Sequence, residues 1–122
     1  MEFVTELDKE NGIFMLRVLG QYRRPLDGFE AQYFVVDSFK EHGCRKILLD
    51  LTKAEIISEP LSALELANSK RDVVNELRQF KFAAVYQEIT ADDRFFETAA
   101  TNRGLTVKAF DNIKEAMNWL IN

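Results

Sequence analysis

The sequence predicts an α/β fold built on a five-stranded, mostly parallel sheet with an antiparallel hairpin at its N-terminal edge. Strand-like and helix-like segments alternate after residue 20, a pattern typical of right-handed β-α-β crossovers. Before that point, Asn11 and Gly12 join two strand-like segments, and an Asn-Gly pair is a strong hairpin signal. The predicted order is β-β-α-β-α-β-α-β-α. All 122 residues fit one domain, 1–122.

Five segments have the apolar or alternating composition of strands. The segment RKILLDL is apolar almost throughout, as expected of a central parallel strand. The last segment, LTVKAF, alternates apolar and polar residues and therefore predicts a half-exposed edge strand. GQYRRPL, after the hairpin, is expected to be a connection. The expected strands are 3–8, 13–19, 45–51, 80–86 and 105–110.

Four helices are expected to follow strands two to five. Asp27 and Glu30 have the spacing of a capping box at the start of the first helix, and Gly43 is expected to end it. Pro60 suits the first turn of the second helix. Asp111 is expected to cap the last helix.

The charge balance argues against nucleic-acid binding. The chain has 16 basic and 20 acidic residues, whereas nucleic-acid binding requires a clustered basic surface. No apolar run approaches the ~20 residues of a membrane span. The only cysteine, Cys44, cannot form a disulfide within the chain, which suits a reducing cytoplasm. With His42, the only histidine, it also cannot complete a zinc site.

Two segments carry a family resemblance. FKFAAVY at 80–86 and VKAFDNIKEAMNWL at 107–120 resemble the corresponding strand and the C-terminal strand and helix of the SpoIIAA-like family of small bacterial proteins. Phe110, Ala116, Trp119 and Leu120 match the ending of that family. The resemblance implies a STAS-like fold, that of anti-sigma-factor antagonists. It also implies a regulatory or binding module rather than a known reaction.

In those antagonists, a strand ending in D-L-s precedes a D-S-S-G sequence in which a serine accepts phosphate. Residues 50–52 match the first part, but Glu59 stands at the acceptor position and Leu61 replaces the glycine. The resemblance therefore implies that the usual phosphoserine is absent. Ser58 and Ser62 remain possible acceptors, but a capping role for Ser58 and a surface position in the first turn for Ser62 are favoured over phosphorylation. The candidate binding or switch loop comprises Asp50, Thr52, Lys53, Ser58, Glu59 and Ser62.

Asp50 also has the position of a phospho-acceptor aspartate in a receiver domain. That class needs an acidic pair after the first strand and a lysine at the end of the last strand. Here the first strand enters a hairpin, and Lys108 lies inside its strand. Asp50 is therefore expected to accept hydrogen bonds from the following loop.

A second candidate loop contains Thr90, Asp92 and Asp93. Together with Glu88, these carboxylates could bind a hard cation. Acidic residues in a first turn more often interact with the helix dipole, and Thr90 and Asp93 have capping-box spacing. We therefore predict no metal site.

Three functions remain open. The first is a non-enzymatic bacterial regulatory domain that binds a protein partner, such as a regulator or kinase, and forms a homodimer. Its expected surface is the loops at 52–62 and 90–93 plus the first helix. The second is a module for a small apolar ligand or lipid, with a cavity under the first two helices, favoured by the phenylalanine content and by Phe34 and Val35 lying off the main apolar stripe. The third is an acid–base enzyme using Asp50 and Glu59. No nucleotide-binding loop or G-x-S-x-G elbow is present, and no cofactor is expected.

Overall fold

A computed structural model describes residues 2–24, 26–58 and 74–122. Within these ranges the chain forms a six-stranded sheet with the order β1-β2-β3-β5-β6, and β4 pairs with the second half of β2. The strands are β1 (Glu2–Asp8), β2 (Ile13–Arg24), β3 (Lys46–Asp50), β4 (Ala54–Ser58), β5 (Lys81–Val85) and β6 (Thr106–Phe110). The helices are α1 (Leu26–His42), α2 (Val74–Leu77), α3 (Ala91–Asn102) and α4 (Ile113–Ile121).

The predicted sheet is confirmed in its main features. β1 and β2 pair antiparallel from Glu2↔Leu19 to Asp8↔Ile13, and β2–β3, β3–β5 and β5–β6 all pair parallel. β1 and β6 lie at the two ends of the strand order β1-β2-β3-β5-β6, as the sequence predicts. The alternation of crossover helices with strands explains this arrangement.

The strand count is corrected from five to six in the described residues, because β4 lies where a loop was expected. Asp50 pairs with Arg17 of β2, and Ala54 pairs with Gly20 of β2. The chain from Asp50 to Ala54 therefore has one residue more than the facing part of β2, and it forms a bulge between β3 and β4. The β-branched pair in EIIS favours this strand. β2 correspondingly continues to Arg24, through the segment expected to be a connection.

Gly20 allows β2 to change partners at the bulge. Its φ of 79° lies in the left-handed region, which residues with a Cβ adopt only at a cost. The position therefore requires glycine even though it lies inside a strand.

The helix ends agree with the prediction in part. Gly43 ends α1, and its N–H donates to the Phe39 carbonyl. Asp27 lies within the first turn rather than at the cap, and accepts hydrogen bonds from the Arg23 backbone and guanidinium. Asn112, not Asp111, caps α4 by accepting from the Glu115 N–H. The predicted start of the second helix at Pro60 lies outside the described residues.

Both faces of the sheet are covered by helices. One cluster packs α1 against β2 and β3, and a second packs α4 against β2, β3 and β5. A third cluster lies toward the carboxyl ends of the strands and includes Tyr22 and Tyr86. The largest fully buried side chains are those of Ile13, Leu16, Val18, Ile47, Leu48, Leu77, Val85 and Leu120.

Replacement of Gly20 tests the bulge. Because a Cβ at Gly20 meets no atom within 4 Å, Gly20→Ala introduces only backbone strain. We expect a loss of about 1–2 kcal/mol in the free energy of unfolding, measured by urea denaturation. Gly20→Asn is the matched control and should lose less, since asparagine tolerates positive φ. An alanine variant as stable as the wild type would contradict this interpretation.

Candidate functional site

The carboxyl ends of β2 and β4 meet the first turn of α3 around one buried cation. The Arg24 residue is only 6% exposed. Its Nη1 lies 3.2 Å from Asp92 Oδ2, and its Nη2 lies 2.9 Å from Asp93 Oδ1. Nη2 also donates to the Tyr86 hydroxyl at 3.0 Å. We call Arg24, Ser58, Tyr86, Asp92 and Asp93 the Arg24 cluster.

An aromatic ring completes the surroundings of this cation. The guanidinium carbon lies 4.5 Å from the centroid of the Phe96 ring, close enough for a cation–π interaction. A buried guanidinium is stable only when its charge and its N–H groups are satisfied. Two carboxylates, one phenol and one ring provide that environment.

The first turn of α3 holds its carboxylates in place through a capping box. Asp93 N–H donates to Thr90 Oγ1 at 3.2 Å, and Thr90 N–H donates to Asp93 Oδ2 at 2.9 Å. The sequence prediction for this pair is confirmed. Asp93 therefore uses one oxygen to cap the helix and the other to bind Arg24. The cap and the ion pair are part of one network.

Ser58 and Asp92 form the solvent-facing side of the cluster. The Ser58 hydroxyl donates to Asp92 Oδ2, the same oxygen that binds Arg24. The Asp92 side chain is 49% exposed, whereas that of Asp93 is 4% exposed. Beside them lies an open cleft of about 720 Å³. Its described lining residues are Leu51, Ala54, Ile56, Ser58, Tyr86, Gln87, Glu88, Thr90, Asp92 and Asp93.

Burial holds two tyrosines of this region in their neutral form. It raises the pKa of Tyr86 from 10.0 to about 12, although the nearby Arg24 charge opposes part of that shift. Burial also raises the pKa of Tyr22, with a further contribution from Tyr86. Both phenols therefore keep their protons to a higher pH than an exposed tyrosine does.

Asp50 and Thr52 form a separate group at the bulge. Asp50 Oδ1 accepts from the Thr52 N–H at 3.0 Å and from the Thr52 hydroxyl at 2.6 Å, while Oδ2 accepts from Arg17 Nε at 3.2 Å. The predicted bonding of Asp50 to the following loop is confirmed. Both carboxylate oxygens are engaged, which does not favour a role as a general base. Lys53 is exposed.

The structure thus brings together only some of the predicted site residues. Ser58 lies at the end of β4 and donates to Asp92. Its predicted role as a helix cap concerns a helix whose start lies outside the described residues, so that role stays a prediction. Glu59 and Ser62 lie outside the described residues. No group of three or more potential metal ligands is found in the parts of the chain that the structure describes.

Arg24 and Tyr86 were not among the predicted site residues. In β2, the side chains of residues 14, 16, 18, 22 and 24 are all buried. Extending that alternation beyond Gly20 would have placed Arg24 on the buried face. A buried arginine in turn implies nearby carboxylates.

Of Phe34 and Val35, the two residues expected off the main apolar stripe of α1, only Phe34 is exposed. Val35 is buried, and Phe34 is 39% exposed while its ring packs edge-on against Phe3 at 4.9 Å. Two clefts lined by described residues are both open and include charged or polar side chains. Neither supplies the closed apolar cavity that a lipid-binding module requires.

The architecture described above is the SpoIIAA-like fold of the STAS class. A solved structure of an uncharacterised protein from Shewanella loihica, of the DUF3478 family with a SpoIIAA-like fold, is similar over 98% of this chain and 92% of its own, with a TM-score of 0.61 and 15% identity. The unphosphorylated anti-sigma factor antagonist SpoIIAA is similar over 98% and 97%, with a TM-score of 0.54 and 10% identity. An anti-sigma factor antagonist from Mycobacterium paratuberculosis is similar over 99% and 96%, with a TM-score of 0.55 and 12% identity.

At sequence identities of 10% to 15%, these structural similarities establish the fold alone. The sequence matches no protein-family model and no curated protein. No helix in the described part of the chain combines the length and apolarity needed to cross a bilayer.

Removal of the Arg24 charge tests the importance of the cluster. Arg24→Met leaves the buried Asp93 carboxylate without its cation and should lower the free energy of unfolding by about 3–5 kcal/mol. Arg94→Met is the control, because the Arg94 side chain is 54% exposed and Glu97 keeps its hydrogen bond from the Ala109 N–H after the change. It should cost less than about 1 kcal/mol. Urea denaturation compares the two, and equal losses would refute a special role for Arg24.

The raised pKa of Tyr86 predicts a dependence of stability on pH. The folded chain holds the phenolic proton up to about pH 12, whereas the unfolded chain begins to release it near the ordinary value of 10.0. The stabilising contribution is therefore complete below pH 10 and falls as the pH rises toward 12. Tyr86→Phe should show a shallower decline than the wild type between pH 9.5 and about 11.5, measured by urea denaturation at each pH. If the free energy of unfolding of the two proteins fell equally with pH, the raised pKa of Tyr86 would be contradicted.

Proposed function

We propose that this chain is a non-enzymatic bacterial regulatory domain that binds a protein partner at the first turns of α3. Its fold is shared with two anti-sigma factor antagonists, which supports a role in regulation through protein contacts. The proposed surface consists of Ser58, Glu88, Asp92 and Phe95, which we call the α3 surface.

The exposure of Phe95 carries the proposal. Its side chain is 66% exposed, the highest value among the large exposed hydrophobic residues described. It lies one helical turn after Asp92 and therefore on the same side of α3. A large exposed aromatic beside charged groups is typical of a protein-binding surface, where a few such residues supply most of the binding free energy.

The Arg24 cluster gives this surface a rigid base. Asp92 is held by both Arg24 and Ser58, while Phe96 is held over the guanidinium. A partner therefore meets groups that are already ordered, which reduces the entropy lost on binding. The exposed Asp92 and Glu88 favour a partner with an apolar pocket bordered by basic residues.

The proposal does not include a phosphoserine switch at Ser58. Its hydroxyl already donates to the Asp92 carboxylate. A phosphate there would place about two negative charges beside that carboxylate, so the cluster would be disrupted by repulsion. Glu59 and Ser62 remain untested predictions for the segment that follows.

We include in the proposal a homodimeric state and a cytoplasmic location. A lone cysteine suits a reducing compartment, and the described structure places it in the buried core. The expected class of partner is a regulator or a kinase. Sedimentation velocity over a range of protein concentrations tests the dimer directly.

A photocrosslinker placed at Phe95 tests the proposed partner surface. In cells of the source bacterium, p-benzoylphenylalanine at position 95 should crosslink a defined protein that mass spectrometry identifies. The purified partner should then bind the wild type in a calorimetric titration. Phe95→Ala should weaken binding by about thirtyfold, as expected for an aromatic hot spot.

Ile121→Ala provides the control for that titration. Ile121 is 44% exposed on α4, and its truncation should leave the affinity unchanged. Phe95→Ala should retain the melting temperature of the wild type, because the side chain is largely exposed. Equal affinities for all three proteins would overturn the proposed surface.

A further inference from the structure

The two edges of the sheet are treated differently by the rest of the chain. At the β6 edge, the backbone N–H of Leu105 donates to the Ala100 carbonyl of α3, at 3.2 Å. The N–H of Ala109 donates to the Glu97 carboxylate. Helix α3 therefore provides acceptors for one N–H just before β6 and for one within it, which hinders the pairing of another strand at this edge.

The β1 edge has no such cover among the described residues. β1 pairs with β2 through seven consecutive residues, from Glu2 to Asp8. In a strand paired on one side, about half of the backbone N–H and C=O groups point outward. No hydrogen bond from a described residue reaches those outward groups of β1. As far as residues 2–24, 26–58 and 74–122 show, β1 is thus a long edge strand whose outer side is available for pairing.

The side chains of β1 divide between the two faces of the sheet. The register places Phe3, Thr5 and Leu7 beside Val18, Leu16 and Phe14, on the α1 side. Phe3 contacts the partly exposed Phe34 there, so this side is apolar. On the opposite side lie Glu2, Val4, Glu6 and Asp8. Val4 is 44% exposed, and both glutamates are exposed.

The acidic face decides which strand can pair with this edge. If a second copy paired its own β1 antiparallel about Thr5, Glu2 would lie opposite Asp8 and Val4 opposite Glu6. If the second strand shifts by two residues in one direction, Glu2 of one copy lies opposite Glu6 of the other. If it shifts by two residues in the other direction, the two Glu6 side chains lie opposite each other. Like charges directly opposite one another are destabilising, so the edge disfavours a second copy in every such register. The same charges favour a strand carrying basic residues.

We propose that the β1 edge binds an extended segment of a partner protein by strand addition. The segment carries lysine or arginine at alternate positions, facing Glu2, Glu6 and Asp8. Its intervening residues are apolar and pack beside Phe3 and Phe34. Main-chain hydrogen bonds supply binding, and the alternating side chains supply specificity. This inference uses a different surface from that of Phe95 and does not depend on the proposed function.

A short peptide serves as the probe. The acetylated and amidated heptapeptide Lys-Val-Lys-Thr-Lys-Val-Lys is titrated into the ¹⁵N-labelled full chain at low salt. We expect amide chemical-shift changes concentrated in β1, together with slower hydrogen exchange of its outward amides. A peptide with glutamate in place of every lysine should not bind.

Charge reversal on the protein provides the matched pair of variants. Glu6→Lys should weaken peptide binding by about tenfold, because one cross-strand pair changes from attractive to repulsive. Glu115→Lys makes the same change of net charge on α4, which packs on β3, β5 and β6. That variant should retain wild-type affinity.

Backbone methylation separates strand addition from charge attraction. Two forms of the peptide are N-methylated on alternate residues, one on the lysines and one on the intervening residues. Strand addition predicts that one form binds and the other does not, because only one set of N–H groups faces β1. Equal binding of the two forms, or shift changes spread over the whole chain, would overturn the proposal. A dimer of the wild type that Glu6→Lys alters would identify a second copy as the occupant and would also overturn it.

Discussion

The need to neutralise one buried guanidinium organises the carboxyl end of this sheet. Arg24 is carried inside by the alternation of β2, and a charge in that position is tolerated only with opposite charges and hydrogen-bond acceptors around it. Asp92 and Asp93 supply the charges, and Tyr86 supplies an acceptor. The interactions of Arg24 thereby hold β2 against α3 and against Tyr86, the residue that follows β5. Ser58 extends it to the end of β4.

That requirement depends in turn on the path of β2. Gly20 lets the strand continue past the point where β3 ends and β4 begins, while Asp50 bonds to both Arg17 and Thr52 across the bulge. If β2 ended at Leu19, Arg24 would not reach α3. The bulge and the Arg24 cluster are thus two parts of one arrangement. This arrangement leaves Phe95 exposed on α3, next to the ordered side chains of the Arg24 cluster.

Much of this arrangement could be predicted from local patterns, and the failures have identifiable causes. The hairpin, the parallel order and the Thr90–Asp93 cap rest on neighbours within a few residues, and all three are confirmed. β4 was missed because its strand signal is only five residues long and lies among polar residues. Arg24 was missed because Gly20 resembles the end of a strand. In both cases pairing across the sheet outweighed the local signal.

The sequence by itself determined the class of fold, the order of the sheet strands other than β4 and the capping residues of α3, because periodicity and capping act within one or two turns of chain. Only the tertiary structure decided that Arg24 lies between Asp92 and Asp93, 68 residues away in the first case. It also decided that α3 bonds to the β6 edge, whereas no described residue covers the outer side of β1. Such contacts join residues that are far apart in the sequence, so local sequence patterns cannot predict them.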